Sequence, residues 1–585
     1  MKKRSEIEEK YKWDLSSYCT DDNSFLMQYN YLKEHIKDLV AYKNKLSDEK
    51  ELISCLKLEE DLSLKLGVLY VYSVLKIRED ASNAHNKENL TLVESLSNKF
   101  SSETSFIDVE VKKYKTEDLK RLEKTTSFKN YFKGIIKSRK LILSEKEEKI
   151  IAKSSDFAGG YSDVFDMFND GDLKFNDVKD SAGKKYKLNH SNYIELMESK
   201  DRTLRKNTLK EMNGAYGRFN NFLSSNYINN VKKDVFYARL RKFNSTLDYE
   251  IFLEDVSRKV YDNLIKSVRE NLPVLHDYYE IKKKYLNLNK FAIYDQFAKN
   301  ITIQKKYTYA EAIEIIKNAT KPLGEEYQNL IDRAVNERWI DVYPKENKDS
   351  GAFSWGAYLK NPVVLTNFVG DTNSVFTLAH ELGHAMHTYY SNTTQTPDSA
   401  GYTIYVAEVA SNVNEMLLLK YFIENAENSK DVAYFYDYFL TELKGSVFRQ
   451  IMFAEFEQFA HEQFENEMPI SSKVLNEYYL ELNKIYFGKN VELIPEIQYE
   501  WSRIPHFYNS FYVYKYAIGL ISAIYIVYNV LPNNPEKYLN FLKSGSTKKP
   551  IDLLKDAGVN LTNQKVINNA FDFAKNIIEK WKNLQ

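Results

Sequence analysis

What most constrains this chain is its shortage of punctuation: it has 19 glycines and 11 prolines in 585 residues, against roughly 7% and 5% in ordinary sequences. Tight turns and hairpins need those residues, so long helices are the expected result. Hydrophobic spacing agrees. From residue 21 to 153 apolar residues recur at intervals of three and four, as in Leu62, Leu66, Leu69, Val71 and Val74 or Leu90, Leu92, Leu96 and Phe100. The same periodicity returns over 191–338, with Pro273 and Pro322 marking helix ends. Two stretches break it. Over 156–189, Gly159, Gly160, Gly171 and Gly183 cluster with Asp and Ser, and 168–178 reads as a turn followed by a short strand. Over 339–371, β-branched and aromatic residues with Gly351, Gly356 and Gly370 predict two or three short strands. The longest apolar run, 517–531, is interrupted by Gly519, Ser522, Tyr525, Tyr528 and Asn529 and reads as a buried helix rather than a membrane span.

Charge removes other classes. Lys+Arg and Asp+Glu both number 82, so the basic footprint of a nucleic-acid binder is missing. With 43% hydrophobic and 28% charged residues, the chain lies outside the disordered regime. Cys19 and Cys55 are too few for a disulfide framework, and residues 1–15 carry no apolar signal stretch. A cytoplasmic protein without nucleic-acid or membrane partners is expected. The oligomeric state has no signature in the sequence. The 45 tyrosines match the Lys, Asn and Ile bias of the whole chain and carry no function by themselves.

Directly after the predicted strands, 374–390 reads as a helix, with Asp371, Thr372, Asn373 and Ser374 as candidate N-caps. On it lies His380-Glu381-Leu382-Gly383-His384, an H-E-x-x-H sequence. Four residues make about one helical turn, so both imidazoles leave one face and can share a zinc ion. Glu381 is then placed as general base for the attacking water. A catalytic zinc needs a third ligand. The extended motif H-E-x-x-H-x-x-G-x-x-H would require Gly at 387 and His at 390, but His387 and Tyr390 stand there. Where thermolysin-like enzymes place their glutamate, this chain has Thr403 and Ile404. The first acidic residue on the next helical stretch is Glu408, which shares a face with Ser411, Asn412 and Glu415. Glu408 is therefore the expected third ligand and Glu415 the group that orients a ligand histidine. His387 is expected in the core or behind the ligands, since a fourth protein ligand would close the site.

Four blocks in order, FTLAHELGHAMH, YVAEVASNVNE, VFRQIMFAEFE and HFYNSFYVYKYAIG, resemble oligoendopeptidase F of the thimet oligopeptidase family of zinc metallopeptidases. YKWDLSSY near the start and PIDLLKDAGVNL near the end extend the resemblance over the whole chain. It implies a mainly α fold: a large helical two-lobed body enclosing a deep channel, with an H-E-x-x-H helix and a small β-sheet near the active site. The regions it implies are an N-terminal helical region (1–110), an oligoendopeptidase-like region with short strands (111–190) and a helical catalytic domain (191–585). One zinc per chain would be held by His380, His384 and Glu408, with Glu381 as catalytic glutamate. His506 and Tyr514 would bind the substrate carbonyl, and Tyr508, Tyr512, Gly351 and Asn367 would contact the peptide. The strand in 362–368 resembles the one edging the cleft, where an extended peptide could add. The implied activity is hydrolysis of internal bonds in short unfolded oligopeptides. The alternative is a zinc carboxypeptidase, for which Lys515 or Arg503 could hold the terminal carboxylate.

Overall fold

The computed structural model describes residues 3–299, 301, 303 and 305–584. The chain is mainly α, with only small sheets, as its glycine and proline content predicts. It divides into two compact units: one of Met1–Leu141, Gln304–Tyr421 and Ile526–Gly558, the other of Ile142–Ile303, Phe422–Tyr525 and Val559–Gln585.

In the first unit, helices Asp22–Val40, Glu49–Glu79 and Ala84–Val111 open on Asp21, Asp48 and Asn83. Each cap's side chain accepts backbone N–H groups of the first turn, which helical bonding leaves without partners. Their apolar stripes meet in one core containing Leu32, Ile36, Leu62, Leu69, Leu96 and Phe100. Leu92 departs from the expected stripe and is 38% exposed. It stands about 200° around the helix from Leu90, so the two cannot share a face.

Of the two or three strands expected in the interval rich in β-branched residues, three form: Ile340–Asp341, Phe353–Trp355 and Val363–Leu365. Val363–Leu365 lies in the middle, parallel to Ile340–Asp341 and antiparallel to Phe353–Trp355. This corrects the expectation that the strand in 362–368 forms an edge: its three residues are fully buried, and both of its sides are already paired. On the far side of Ile340–Asp341, Val342 N–H donates to Tyr11 O (3.0 Å) and Asp14 N–H to Arg338 O (2.7 Å). Phe353–Trp355 is the other edge. Among the described residues no backbone hydrogen bond outside the strand pairing reaches it.

The second unit packs helices such as Asn220–Leu240, Arg258–Glu270, Arg449–Glu465, Ser472–Phe487 and Tyr514–Tyr525. Many tyrosines serve as core residues with a tethered hydroxyl. Tyr278 donates to Asp437 (2.9 Å), Tyr479 to Glu500 (2.7 Å) and Tyr261 to Ala454 O (3.1 Å). Pro273 falls in the first turn of Leu272–Tyr285, where its missing N–H costs nothing. The 168–178 stretch differs from expectation. Met167–Asp172 closes a π-helical turn, and the strand begins only at Val178.

Candidate metal centre

The motif lies on helix Thr372–Thr394. Of the four candidate caps the structure uses Asp371, whose carboxylate accepts from Ser374 N (2.8 Å) and Ser374 Oγ (2.7 Å). Gly370 precedes it with φ +79°, and a Cβ there would lie 2.6 Å from Tyr307 O. Only glycine fits that entry to the helix.

His380 and His384 face each other with their Nε2 atoms 3.2 Å apart. Helix Ile404–Glu424 brings Glu408 Oε2 to 3.6 Å and 3.7 Å from those nitrogens. His380 Nδ1 donates to Glu415 Oε1 (2.8 Å). His384 is bonded to the backbone of Ala407. With each ring's other nitrogen so engaged, the two Nε2 atoms point to one place beside a carboxylate oxygen, and a bound cation there would hold both rings as neutral imidazoles. Ligands held at about 2.0–2.1 Å around a tetrahedral zinc stand roughly 3.3 Å apart, close to the separations found. The three donors therefore fit a divalent cation. Among the described residues they form the one group of histidine, cysteine and acidic side chains so disposed.

The electrostatics belong to a partly buried polar site. Burial pulls His380 down, but the Glu415 bond and the surrounding carboxylates outweigh it and raise the ring to about 9. Burial and His380 together lower His384 to about 4. Glu381 is 6% exposed. Burial pushes its carboxyl up to about 7, against the opposing pull of His380. A carboxyl in that range can take and release a proton near neutrality.

Two residues without prior assignment, Gly383 and Asn414, set the helix spacing. A Cβ on Gly383 would stand 2.7 Å from both Ala410 O and Ser411 Cα. The motif glycine thus lets the two helices touch backbone to backbone. Asn414, fully buried, donates to Ala379 O (3.0 Å) and accepts from Tyr327 Oη (2.8 Å). An asparagine among Val413, Met416, Leu417 and Leu418 was the available signal for it. His387 stays out of the cluster. It is 1% exposed and stacks on Tyr402 with ring centroids 3.8 Å apart, and burial lowers it to about 3.

Elsewhere in this unit, Asn367 Nδ2 donates to Asp349 O (2.9 Å) and Gly351 O (2.8 Å). Both Gly351 and Asn367 line a hollow of about 290 Å³ that also takes in Asn373 and Thr377 of the motif helix.

In the second unit His506 sits on the short 3-10 turn Pro505–Tyr508. Its Nε2 is 3.2 Å from Tyr516 Oη, and Tyr512 stacks on its ring with centroids 5.8 Å apart. Burial lowers its pKa. Tyr508 Oη accepts from Asn226 (3.1 Å) and its ring stacks on Phe165. Tyr514 is 1% exposed and packs edge-on against Tyr261. The two cations considered for a terminal carboxylate are engaged: Lys515 with Glu254 (2.9 Å), Arg503 with Glu500 (3.4 Å).

Paired H-E-x-x-H imidazoles facing a glutamate from a second helix, in a mostly helical fold, define a metallopeptidase. The profile described as Peptidase family M3 matches residues 195–573, and that described as Oligopeptidase F matches 110–175. The chain belongs to peptidase family M3. It is 35% identical to oligopeptidase PepF of Bacillus subtilis over 96% of this chain and 86% of that protein. It is 33% identical to group B oligopeptidase PepB of Streptococcus agalactiae over 98% of this chain and 97% of that one. Among solved structures, one from Chlamydophila abortus superposes with a TM-score of 0.94 at 30% identity, covering 100% of both chains. Oligoendopeptidase-F from Enterococcus faecium gives 0.74 at 28%, covering 96% of this chain and 99% of that one. The helical fold and the metallopeptidase class agree with the resemblance read from the four blocks.

Proposed function

We propose that this metallopeptidase binds one zinc ion through His380, His384 and Glu408 and cuts internal bonds of short, unfolded oligopeptides. The observation that carries the reading is the convergence of two Nε2 atoms and one carboxylate oxygen beside the buried Glu381. Zinc, when bound, supplies a Lewis acid that polarises the scissile carbonyl and acidifies water. Glu381 takes a proton from the attacking water and delivers it to the departing amine. Glu415 keeps the His380 ring in the tautomer that leaves Nε2 bare. His506 and a tyrosine of the 506–516 segment donate to the oxygen that gains charge in the transition state, a role resting on the resemblance. Gly351 and Asn367 contact the peptide. Cys19 and Cys55 are buried free thiols, in keeping with a reducing cytoplasm. Among the described residues no helix is long and apolar enough to cross a membrane.

The carboxypeptidase reading has less support, because Lys515 and Arg503 already have carboxylate partners. The deciding experiment is mass spectrometry of products from a mixed-length peptide pool, including C-terminally amidated members, with and without chelator. Internal cuts that stop with chelator and return with zinc are expected. Stepwise loss from the C-terminus, blocked by amidation, would replace the endopeptidase reading.

A further inference from the structure

The third sequence block, VFRQIMFAEFE, contributes nothing to the metal cluster. It ends at Glu457, on helix Arg449–Glu465. Glu457 is 0% exposed, and its Oε1 accepts the backbone N–H of Phe511 at 2.7 Å. Phe511 has φ +52°, a left-handed conformation costing a non-glycine residue roughly 1–2 kcal/mol. Such a residue persists only where its surroundings hold it. Two further side chains grip the same turn from helix Asn220–Leu240: Asn226 donates to Tyr508 Oη (3.1 Å), and Asn230, fully buried, donates towards Phe507 O (3.4 Å). The His461 ring packs on Phe511 with centroids 4.9 Å apart, and its Nδ1 bonds Glu457 O (2.9 Å). The turn that separates His506 from Tyr512 is thus held at residues 507, 508 and 511.

A buried carboxyl is an expensive acceptor for one amide. The other oxygen of Glu457, Oε2, has no hydrogen-bond partner. We propose that Glu457 is a positioning residue for peptide hydrolysis: it locks the left-handed turn at Phe511 and thereby sets the directions of His506, Tyr512 and Tyr516. The inference rests on the reading that the 506–516 segment serves the substrate. Burial pushes the Glu457 carboxyl up to about 8, against the nearby His461 and the Phe511 amide. Burial favours its uncharged form, of which glutamine is a close mimic.

The test measures kcat, KM, metal content and melting temperature for Glu457→Met, Glu457→Gln, His506→Ala and the double variant Glu457→Met/His506→Ala. Methionine fills the space without an acceptor. Misplacing a catalytic group by about 1 Å costs on the order of 10²-fold, so Glu457→Met should lose roughly 10–100-fold in kcat, with KM and metal content little changed. Glu457→Gln should stay within about threefold of wild type, because its carbonyl accepts the same N–H. The double variant should lose clearly less than the product of the two single losses, as for residues acting through one unit. Wild-type kcat in Glu457→Met beside a slow His506→Ala overturns the inference alone, as do losses that multiply in the double variant. A wild-type rate in His506→Ala overturns the functional reading of the segment, and the inference with it. If Glu457→Met does not fold, Glu457→Asp decides. One methylene shorter, it should lose part of kcat, and a wild-type rate there overturns the proposal.

Discussion

In the first unit the metal-binding side chains stand on two long helices in backbone contact, whereas in the second unit His506 stands on a 3-10 turn ahead of a left-handed phenylalanine. The helices convert residue spacing directly into direction, so His380, His384, Glu408 and Glu415 converge with little else required. The 506–516 segment has no such built-in geometry. Its shape is imposed by buried polar side chains, namely Glu457, Asn226 and Asn230. Precision thus comes from periodicity in one region and from bracing in the other. The first should tolerate the loss of an outlying contact better than the second.

The contrast can be broken or sharpened by measurement. The largest effect should come from Glu381→Gln, which keeps the ligands but not the base. A fall of about 10²–10⁴ in kcat is expected with metal content unchanged, and peptide cleavage within tenfold of wild type would remove Glu381 from the mechanism. His506→Ala should lose about 10²–10³ in kcat, the usual result of deleting one oxyanion donor, with no change in zinc affinity by chelator competition. Glu415→Ala should act on the opposite quantity, weakening zinc binding by about 10–100-fold. A selective kcat effect with unaltered affinity would mean that the His380 bond is dispensable. Gly383→Ala forces two backbones apart at 2.7 Å contacts. A destabilisation of about 1–3 kcal/mol is expected, seen in urea melts and accompanied by weaker zinc binding.

The smallest effect concerns pH. Glu457 faces Asp234, Glu250 and His461 and is held near 8, above an ordinary carboxyl at 4.5. The fold therefore favours its protonated form. The stability this supplies is complete below about pH 4.5 and is lost as pH rises through about 8. Glu457→Gln, which cannot ionise, should melt like wild type at pH 5 and a few degrees higher at pH 9. A constant difference across that range would contradict the assignment.

Much of the metal centre was legible because helical periodicity survives in sequence. The H-E-x-x-H spacing, the face shared by Glu408 and Glu415, the three short strands and the buried 517–531 run all follow from local pattern. What was not legible depends on contacts distant in the chain. Gly383 reads as an ordinary helix residue until Ala410 lies against it, and Asn414 until Tyr327 and Ala379 do. Pairing order is likewise a tertiary fact, and Val363–Leu365 was misjudged as an edge because nothing in its own residues reports its neighbours. Phe511 is the extreme case, since no propensity predicts a left-handed phenylalanine.

The hydrogen bonds of Tyr11 O and Asp14 N–H with the flank of Ile340–Asp341 leave the small sheet, among the described residues, with one backbone border open to pairing. Any extended chain that pairs with it meets a single line of amides, at Phe353–Trp355, and the opposite line is already spoken for by the protein itself. Unlatching Tyr11 and Asp14 would turn a closed flank into a second adhesive border, and exposed borders of that kind recruit other copies of a protein. The segment around Trp13 therefore covers with the chain's own backbone a border that would otherwise be open to pairing.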